Sequence, residues 1–247
     1  MRLASEFLRG GYSLLFPASC AECGAAVENP EEAPVCARCL PRLPWNRAPL
    51  CLRCGVSLRN LGAGIDLCGG CRDSSPIFDQ ARSVFLYEKP LPDFIADLKY
   101  RGRHALIGFL AGHMAAQVRQ CWNDFAFDRV IAIPMHETRR RERGYNQAER
   151  LADAVAQKLY GRPADALLVR NQPAAAQASL SRRDRLNNLV GTIELLGPSE
   201  TAGKTVLLVD DVLTTGATAD ACAKALKQAG AKSVFVITAA RVAGGTR

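Results

Sequence analysis

One run near the C-terminus, Val206-Leu207-Leu208-Val209-Asp210-Asp211-Val212-Leu213-Thr214-Thr215-Gly216-Ala217-Thr218, constrains the fold more than any other stretch. Four consecutive apolar residues without alternation read as a strand buried on both faces, as at the centre of a parallel sheet. Two adjacent carboxylates follow. In a regular strand they point to opposite faces, so both serve one ligand only if the chain is already turning at the sheet's carboxyl edge. The strand is therefore expected to end at the acids. The next residues are small or hydroxylated and lead into an apolar-periodic helix, Ala219 to Ala229. Such a loop lets a phosphate approach backbone N–H groups, and the helix start adds the positive end of its dipole. Acids for hydroxyls and a cradle for phosphate, a sugar's length apart, suit a ribose 5-phosphate. An ordinary buried strand, turn and helix would explain the apolar run but not the paired carboxylates.

Two other readings of this region fail. Gly197 to Thr205 ends in Gly-Lys-Thr like a nucleotide-binding P-loop, yet five residues separate Gly197 from Gly203 where that loop has four. It also precedes a strand when it should follow one and open a helix. A phospho-acceptor signalling domain also begins with a strand and paired Asp, but too little chain follows Asp211 to build one.

The opposite end of the chain is ruled by cysteine. Eight of the ten Cys form four Cys-x-x-Cys pairs: Cys20/Cys23, Cys36/Cys39, Cys51/Cys54 and Cys68/Cys71. In a reducing compartment this arithmetic means metal, and zinc is the default for four-thiolate sites at this spacing. Twelve residues separate Cys23 from Cys36 and thirteen separate Cys54 from Cys68, so a duplicated ribbon with sequential pairing is expected, although interleaved pairing fits the spacing too. Gly24 and Gly55 supply the knuckle turns. Closed four-thiolate sites leave no open coordination position, so this module is read as a docking or stabilising element. With two zincs bound its formal charge falls from +1 to about −3, which argues against a strong DNA contact by this part alone. Cys121 and Cys222 read as buried core thiols.

Length and 48% apolar content allow a real core. No run approaches the roughly 20 apolar residues that cross a bilayer, and Glu6 and Arg9 interrupt the N-terminus where a signal peptide needs an apolar core, so a cytoplasmic location is expected. The net charge of +8 is concentrated: Pro134 to Arg185 holds eleven basic and six acidic residues. Such an excess favours a polyanion, pyrophosphate or nucleic acid; for any single Arg a solvated face is the plain alternative.

Between these ends, a boundary is expected near Ser74-Ser75-Pro76. Ala81 to Tyr87 reads as a strand, Leu91 to Lys99 and Ala105 to Trp122 as helices, and Leu98 to Arg103 between them as a basic turn that either faces phosphate or is merely exposed. Arg129 to Ile133 is the next buried strand, closed by Pro134. The dense stretch Met135 to Gln147 leaves its carboxyl end, where Arg donors can clamp pyrophosphate. Asn146 can cap the helix running to Tyr160. His136 has no acidic partner in the sequence and is at most a weak candidate for catalysis. Ala166 to Val169 reads as a short strand, and the polar stretch Asn171 to Asn188 as a lid. Lys204 to Asp210 and Ser233 to Ala239 complete the strands.

The Val206–Thr218 run resembles the phosphoribosyl-pyrophosphate (PRPP) binding motif of type I phosphoribosyltransferases. Pro134-Met135-His136, Arg143-Gly144-Tyr145-Asn146-Gln147, Gln177 with Leu180-Ser181-Arg182, and Arg185 with Asn188-Leu189 are similar to blocks of the ComF family, in which paired cysteine knuckles precede a phosphoribosyltransferase domain. The similarity covers nearly the whole chain in the expected order. One departure is Gln177-Ala178-Ser179, where a Ser-Gly pair is more usual. The resemblance implies an α/β, parallel-sheet type I phosphoribosyltransferase fold over 79–247 with a small cysteine-rich double zinc ribbon over 1–78. It implies two structural zinc ions, and PRPP bound with Mg²⁺ and transferred to an acceptor. Asp210 and Asp211 would meet the ribose hydroxyls, Thr214, Thr215, Gly216, Ala217 and Thr218 the 5-phosphate, and Arg139, Arg143 and Arg182 the pyrophosphate. Some bacteria use such proteins in natural DNA uptake, the competence process. The alternative expectation is a non-catalytic protein of this fold that binds single-stranded DNA or regulates uptake; with few aromatics beside the basic residues, base stacking is poorly served.

Overall fold

A computed structural model describes residues 19–29, 33–59, 64–101, 103–170 and 193–243. The expected lid, with Arg182, lies outside them. In chain order the elements are α1 (Gly69–Asp73), β1 (Gln80–Leu86), α2 (Leu91–Ala96, running on into a π-helical turn, Asp97–Arg101), α3 (Ala105–Cys121), β2 (Arg129–Ala132), α4 (Glu137–Arg143), α5 (Gln147–Tyr160), β3 (Leu168–Arg170), β4 (Ile193–Leu195), β5 (Thr205–Leu213), α6 (Ala217–Gln228) and β6 (Ser233–Arg241).

Four of the strands form one parallel sheet in the order β1-β6-β5-β2. Its two central strands are apolar on both faces, and the alternation sorts them into two cores. Leu207, Val209, Phe235 and Ile237 pack with α2, α3 and α5. Val206, Leu208, Val234 and Val236 pack on the opposite face with α6 and the β3–β4 pair. This two-sided burial explains why the sequence runs without alternation there. The short strand expected over Ala166 to Val169 is β3, shifted to Leu168–Arg170; it pairs antiparallel with β4, Val169 opposite Glu194.

The cysteine-rich segment is not a separate body. Cys20, Val35, Cys39 and Leu43 belong to one core of the sheet, and Cys51, Cys54, Leu58 and Cys71 to the other. The chain between the two halves lies along the open edge of β1. Asn46 N donates to Val84 O at 2.9 Å, Leu86 N to Pro44 O at 2.7 Å, and Ala81 N to Arg53 O at 2.7 Å. An exposed strand edge is a template for unwanted pairing, and here the ribbons close it.

The parallel strands end unevenly. β2 stops at Ala132, opposite Val209, because Pro134 has no N–H to continue the ladder. β5 runs four residues further beside β6, to Leu213 opposite Arg241. The expectation that the strand ends at the acids is corrected: Asp210 and Asp211 lie within it. They share one site because β2 has already ended and leaves their flank open.

Candidate active site and zinc centres

The gap beyond β2 is a cavity of about 480 Å³. Asp210 and Asp211 line it from β5, Thr218 from the first turn of α6, Pro134, Met135 and His136 from the chain leaving β2, Arg139 and Arg143 from α4, Asn146 and Gln147 from the start of α5, Arg170 from β3 and Lys99 from the π-helical turn.

Local sequence explains most of this placement. His136 caps α4, its Nδ1 accepting from Thr138 N at 3.1 Å. α4 was not foreseen; it turns the basic cluster into a helix with two faces. Arg139 and Arg143, four residues apart, face the cavity, whereas Arg140 pairs with Glu149 at 3.2 Å and Arg141 with Glu137. Gly144, at φ 82°, ends the helix. Asn146 caps α5 as expected, Oδ1 accepting from Ala148 N at 3.0 Å, and its Nδ2 donates to Ile133 O, tying the helix to the end of β2.

The acids differ in surroundings. Asp211 is buried, 2.6 Å from Lys99 Nζ, and accepts from Gln147 Nε2 at 3.2 Å. Asp210 has its carboxyl raised well above the usual carboxylate range, first by burial and then by the negative charge of Asp211, with Lys99 partly offsetting. The neighbouring cations are in excess. Arg143 donates to Gln147 Oε1 at 2.7 Å and lies over the Tyr100 ring at 5.1 Å. Arg139 and Arg170 have no carboxylate partner among the described residues. Burial and then the charge of Arg139 push the Arg170 guanidinium below its ordinary range, and its Nε is buried without a hydrogen bond to any described residue. Arg139 and Arg170 therefore bring positive charge to a cavity that Asp210, Asp211 and Glu142 also line.

Of the expected site residues, Asp210, Asp211, Thr218, Arg139 and Arg143 are brought together. Thr214 and Thr215 are exposed on the turn between β5 and α6, Gly216 is buried there at φ 80°, and Ala217 opens the helix. α6 begins two residues before the expected Ala219, so Thr218 is its second residue. Lys99, Gln147 and Arg170 were missed as site residues. For Lys99 the only signal was its basic turn, and Arg170 stands one residue beyond an expected strand.

The cysteines form two sequential clusters, Cys20/Cys23/Cys36/Cys39 and Cys51/Cys54/Cys68/Cys71, with all Sγ atoms of a cluster within 4.8 Å of one another. Interleaved pairing is thereby excluded. A tetrahedron with zinc–sulfur bonds of about 2.3 Å has sulfur–sulfur edges of about 3.8 Å. Cys23 and Cys36 Sγ lie 3.8 Å apart, and Cys54 and Cys68 Sγ 3.7 Å. The donors fit zinc. The halves repeat each other down to the backbone: Gly24 N donates to Cys20 O and Gly55 N to Cys51 O, while the bridges Ser19–Ala26 and Leu50–Ser57 sit at the same offsets. No helix among the described residues is long and apolar enough to cross a membrane.

Comparison with known proteins agrees with this architecture. The phosphoribosyl transferase domain family matches residues 146–247, and the double zinc ribbon domain family matches residues 12–72. The DNA utilization protein YhgH of Salmonella typhimurium is 30% identical over 205 residues, covering 82% of this chain and 86% of that protein. Competence protein F of Haemophilus influenzae is 28% identical over 197 residues, covering 78% and 85%. Competence protein ComFC of Streptococcus pneumoniae is 29% identical over 160 residues, covering 65% and 67%. With a double zinc ribbon ahead of a phosphoribosyl transferase domain, the chain belongs to the ComF family.

Proposed function

We propose that the cavity binds PRPP and that the protein transfers its phosphoribosyl group to an acceptor, the catalytic unit being residues 79–247 and the ribbon unit 1–78. The observation that carries this reading is the convergence of Asp210, Asp211, Thr218, Arg139 and Arg143 on one opening beyond a prematurely ended strand. The volume falls in the usual range for small-molecule sites, roughly 300–1,000 Å³.

Asp211 is the acceptor for a ribose hydroxyl; to take it, the carboxylate exchanges its contact with Lys99, whose ammonium then becomes available to a phosphate oxygen. Asp210, raised in its resting state, ionises when a cationic centre approaches and favours positive character developing at the ribose C1. The N–H groups from Thr214 to Thr218 receive the 5-phosphate, and Arg139 and Arg143, with Arg182 from outside the described residues, neutralise the departing pyrophosphate. The carboxylates of Asp210 and Asp211 would hold a hard cation, and Mg²⁺ would supply charge neutralisation for the pyrophosphate. No protein nucleophile is needed.

The test is calorimetric titration of the zinc-loaded protein with PRPP, with and without Mg²⁺, beside Asp211→Asn. Mg²⁺-dependent binding that the substitution abolishes supports the site, and equal binding by the variant refutes it. A second reading has support in the names of the relatives, which place them in DNA utilization and competence. On it, the basic 134–185 region holds single-stranded DNA without turnover. Arg140 and Arg141 are already paired with carboxylates, which leaves that face weaker than the sequence suggests. DNA affinity that does not fall with salt would exclude it.

A further inference from the structure

The two cysteine clusters have the same spacing and the same backbone scaffold, yet different charge environments. A zinc ion with four thiolates carries about −2, and enclosing such a charge requires a counter-charge. At the second cluster one guanidinium group reaches a thiolate sulfur and another reaches the carbonyls of the same knuckle. Arg241, buried near the carboxyl end of β6, donates from Nη1 to Cys54 O at 2.6 Å and from Nη2 to Cys54 Sγ at 3.5 Å. Arg82, buried on β1, donates from Nη1 to Leu52 O at 3.1 Å and Cys51 O at 3.5 Å. Both reach into the knuckle Cys51–Cys54.

The first cluster has the matching backbone donor, Cys36 N to Cys20 Sγ at 3.3 Å, as Cys68 N meets Cys51 Sγ at 3.4 Å. No arginine stands in the place of Arg241 there among the described residues. Its Cys23 is exposed and its Cys36 half-buried, whereas three of the four cysteines of the second cluster are buried. With Cys20 and Cys39 buried, the first cluster opens to solvent on the Cys23–Cys36 side, and among the described residues no guanidinium donates to it.

We propose that Arg241, with Arg82 beside it, is the counter-charge of the second zinc–thiolate centre, which is thereby built into the parallel sheet while the first centre is left exchangeable. The connection extends towards the cavity. Arg241 is in register with Leu213, the last residue of β5, and Val242 N donates to Leu213 O at 3.1 Å, immediately before the turn Thr214–Gly216 that leads into α6. The proposal does not depend on what the cavity binds.

The experiment follows zinc release from the full-length, zinc-loaded protein into a colorimetric chelator. The wild type releases its metals in a fast and a slow phase. Arg241→Met accelerates the slow phase about tenfold or more, the usual effect of losing a partner to a metal ligand, and leaves the fast phase unchanged. Arg241→Lys, which keeps charge but loses the planar fork, falls between. In cobalt-reconstituted protein the sulfur-to-cobalt charge-transfer band shifts in Arg241→Met, a change that a merely structural arginine would not produce. Should Arg241→Met fail to fold, Arg241→Lys and Arg82→Met read the same phase. A single release rate in the wild type, an unchanged slow phase in the folded variants, or equal acceleration of both phases overturns the proposal.

Discussion

The two halves of the zinc ribbon began as the same sequence pattern and are attached to the sheet by different physics. The first half is joined through rings: Trp45, in the connecting chain, packs against Phe85 at 4.6 Å and His113 at 5.1 Å, and His113 against Phe109 at 4.7 Å. The second is joined through guanidinium groups donating to its backbone carbonyls, from Arg82 and Arg241, with its own Arg53 Nη1 donating back to Asp79 O at 2.7 Å. Apolar contacts tolerate small shifts, whereas buried arginines demand their partners at fixed positions. A duplicated module has thus come to serve one face of the sheet as packing and the other as a polar joint.

Replacing cysteines gives the largest expected difference between the halves. Cys54→Ser removes a ligand from a centre that two buried arginines face, and a loss of about 3–5 kcal/mol is expected from leaving that charge uncompensated. Cys23→Ser, at the exposed corner of the first centre, should lower the denaturation midpoint by clearly less. Equal losses in guanidinium titrations would erase the contrast.

The knuckle glycines sharpen it at smaller cost. Gly24 and Gly55 have nearly the same φ, 72° and 69°, which L-residues adopt poorly. A Cβ on Gly24 meets nothing within 4 Å, but one on Gly55 would stand 2.4 Å from Ala81 O, a backbone atom of β1. Gly24→Ala should cost about 1–2 kcal/mol from the left-handed conformation alone. Gly55→Ala adds an overpacking cost, for a total of about 2–5 kcal/mol. The difference between the two denaturation midpoints isolates the contact with β1.

The smallest effect is one of pH. Burial lowers the His113 pKa below its ordinary value. The unfolded chain therefore binds a proton at a pH where the folded ring does not, so this contribution to stability is complete above about pH 6.5 and is lost as pH falls below it, down to the folded pKa. His113→Phe should flatten the stability profile in that window. A profile unchanged by the substitution would mean that the ring cluster does not control the first half's attachment.

The sequence made some of the architecture legible because the relevant interactions are local. Four Cys-x-x-Cys pairs with near-equal loops announce two tetrathiolate sites; Asn146 before an amphipathic stretch announces a helix start; an unbroken apolar run announces a central strand. The paired acids, with the small-residue turn after them, pointed to the right end of the sheet although the strand does not stop where expected. The basic cluster was legible as a cation source but not as a helix, and so not as two faces with opposite uses.

Other features were decided only by tertiary structure, because they depend on distances between segments far apart in the chain. Lys99 meets Asp211 across 112 positions only when the π-helical turn is laid over the end of β5. Arg241 meets Cys54 across 187 positions only because β6 lies beside β1, whose open edge the ribbon covers. The cavity exists because β2 ends at Ala132 while β5 continues to Leu213, a mismatch between neighbouring strands that neither strand carries alone. Local patterns determined which elements form and which residues bind metal; packing of distant segments determined where charge is balanced, where it is left open, and hence where a ligand can enter.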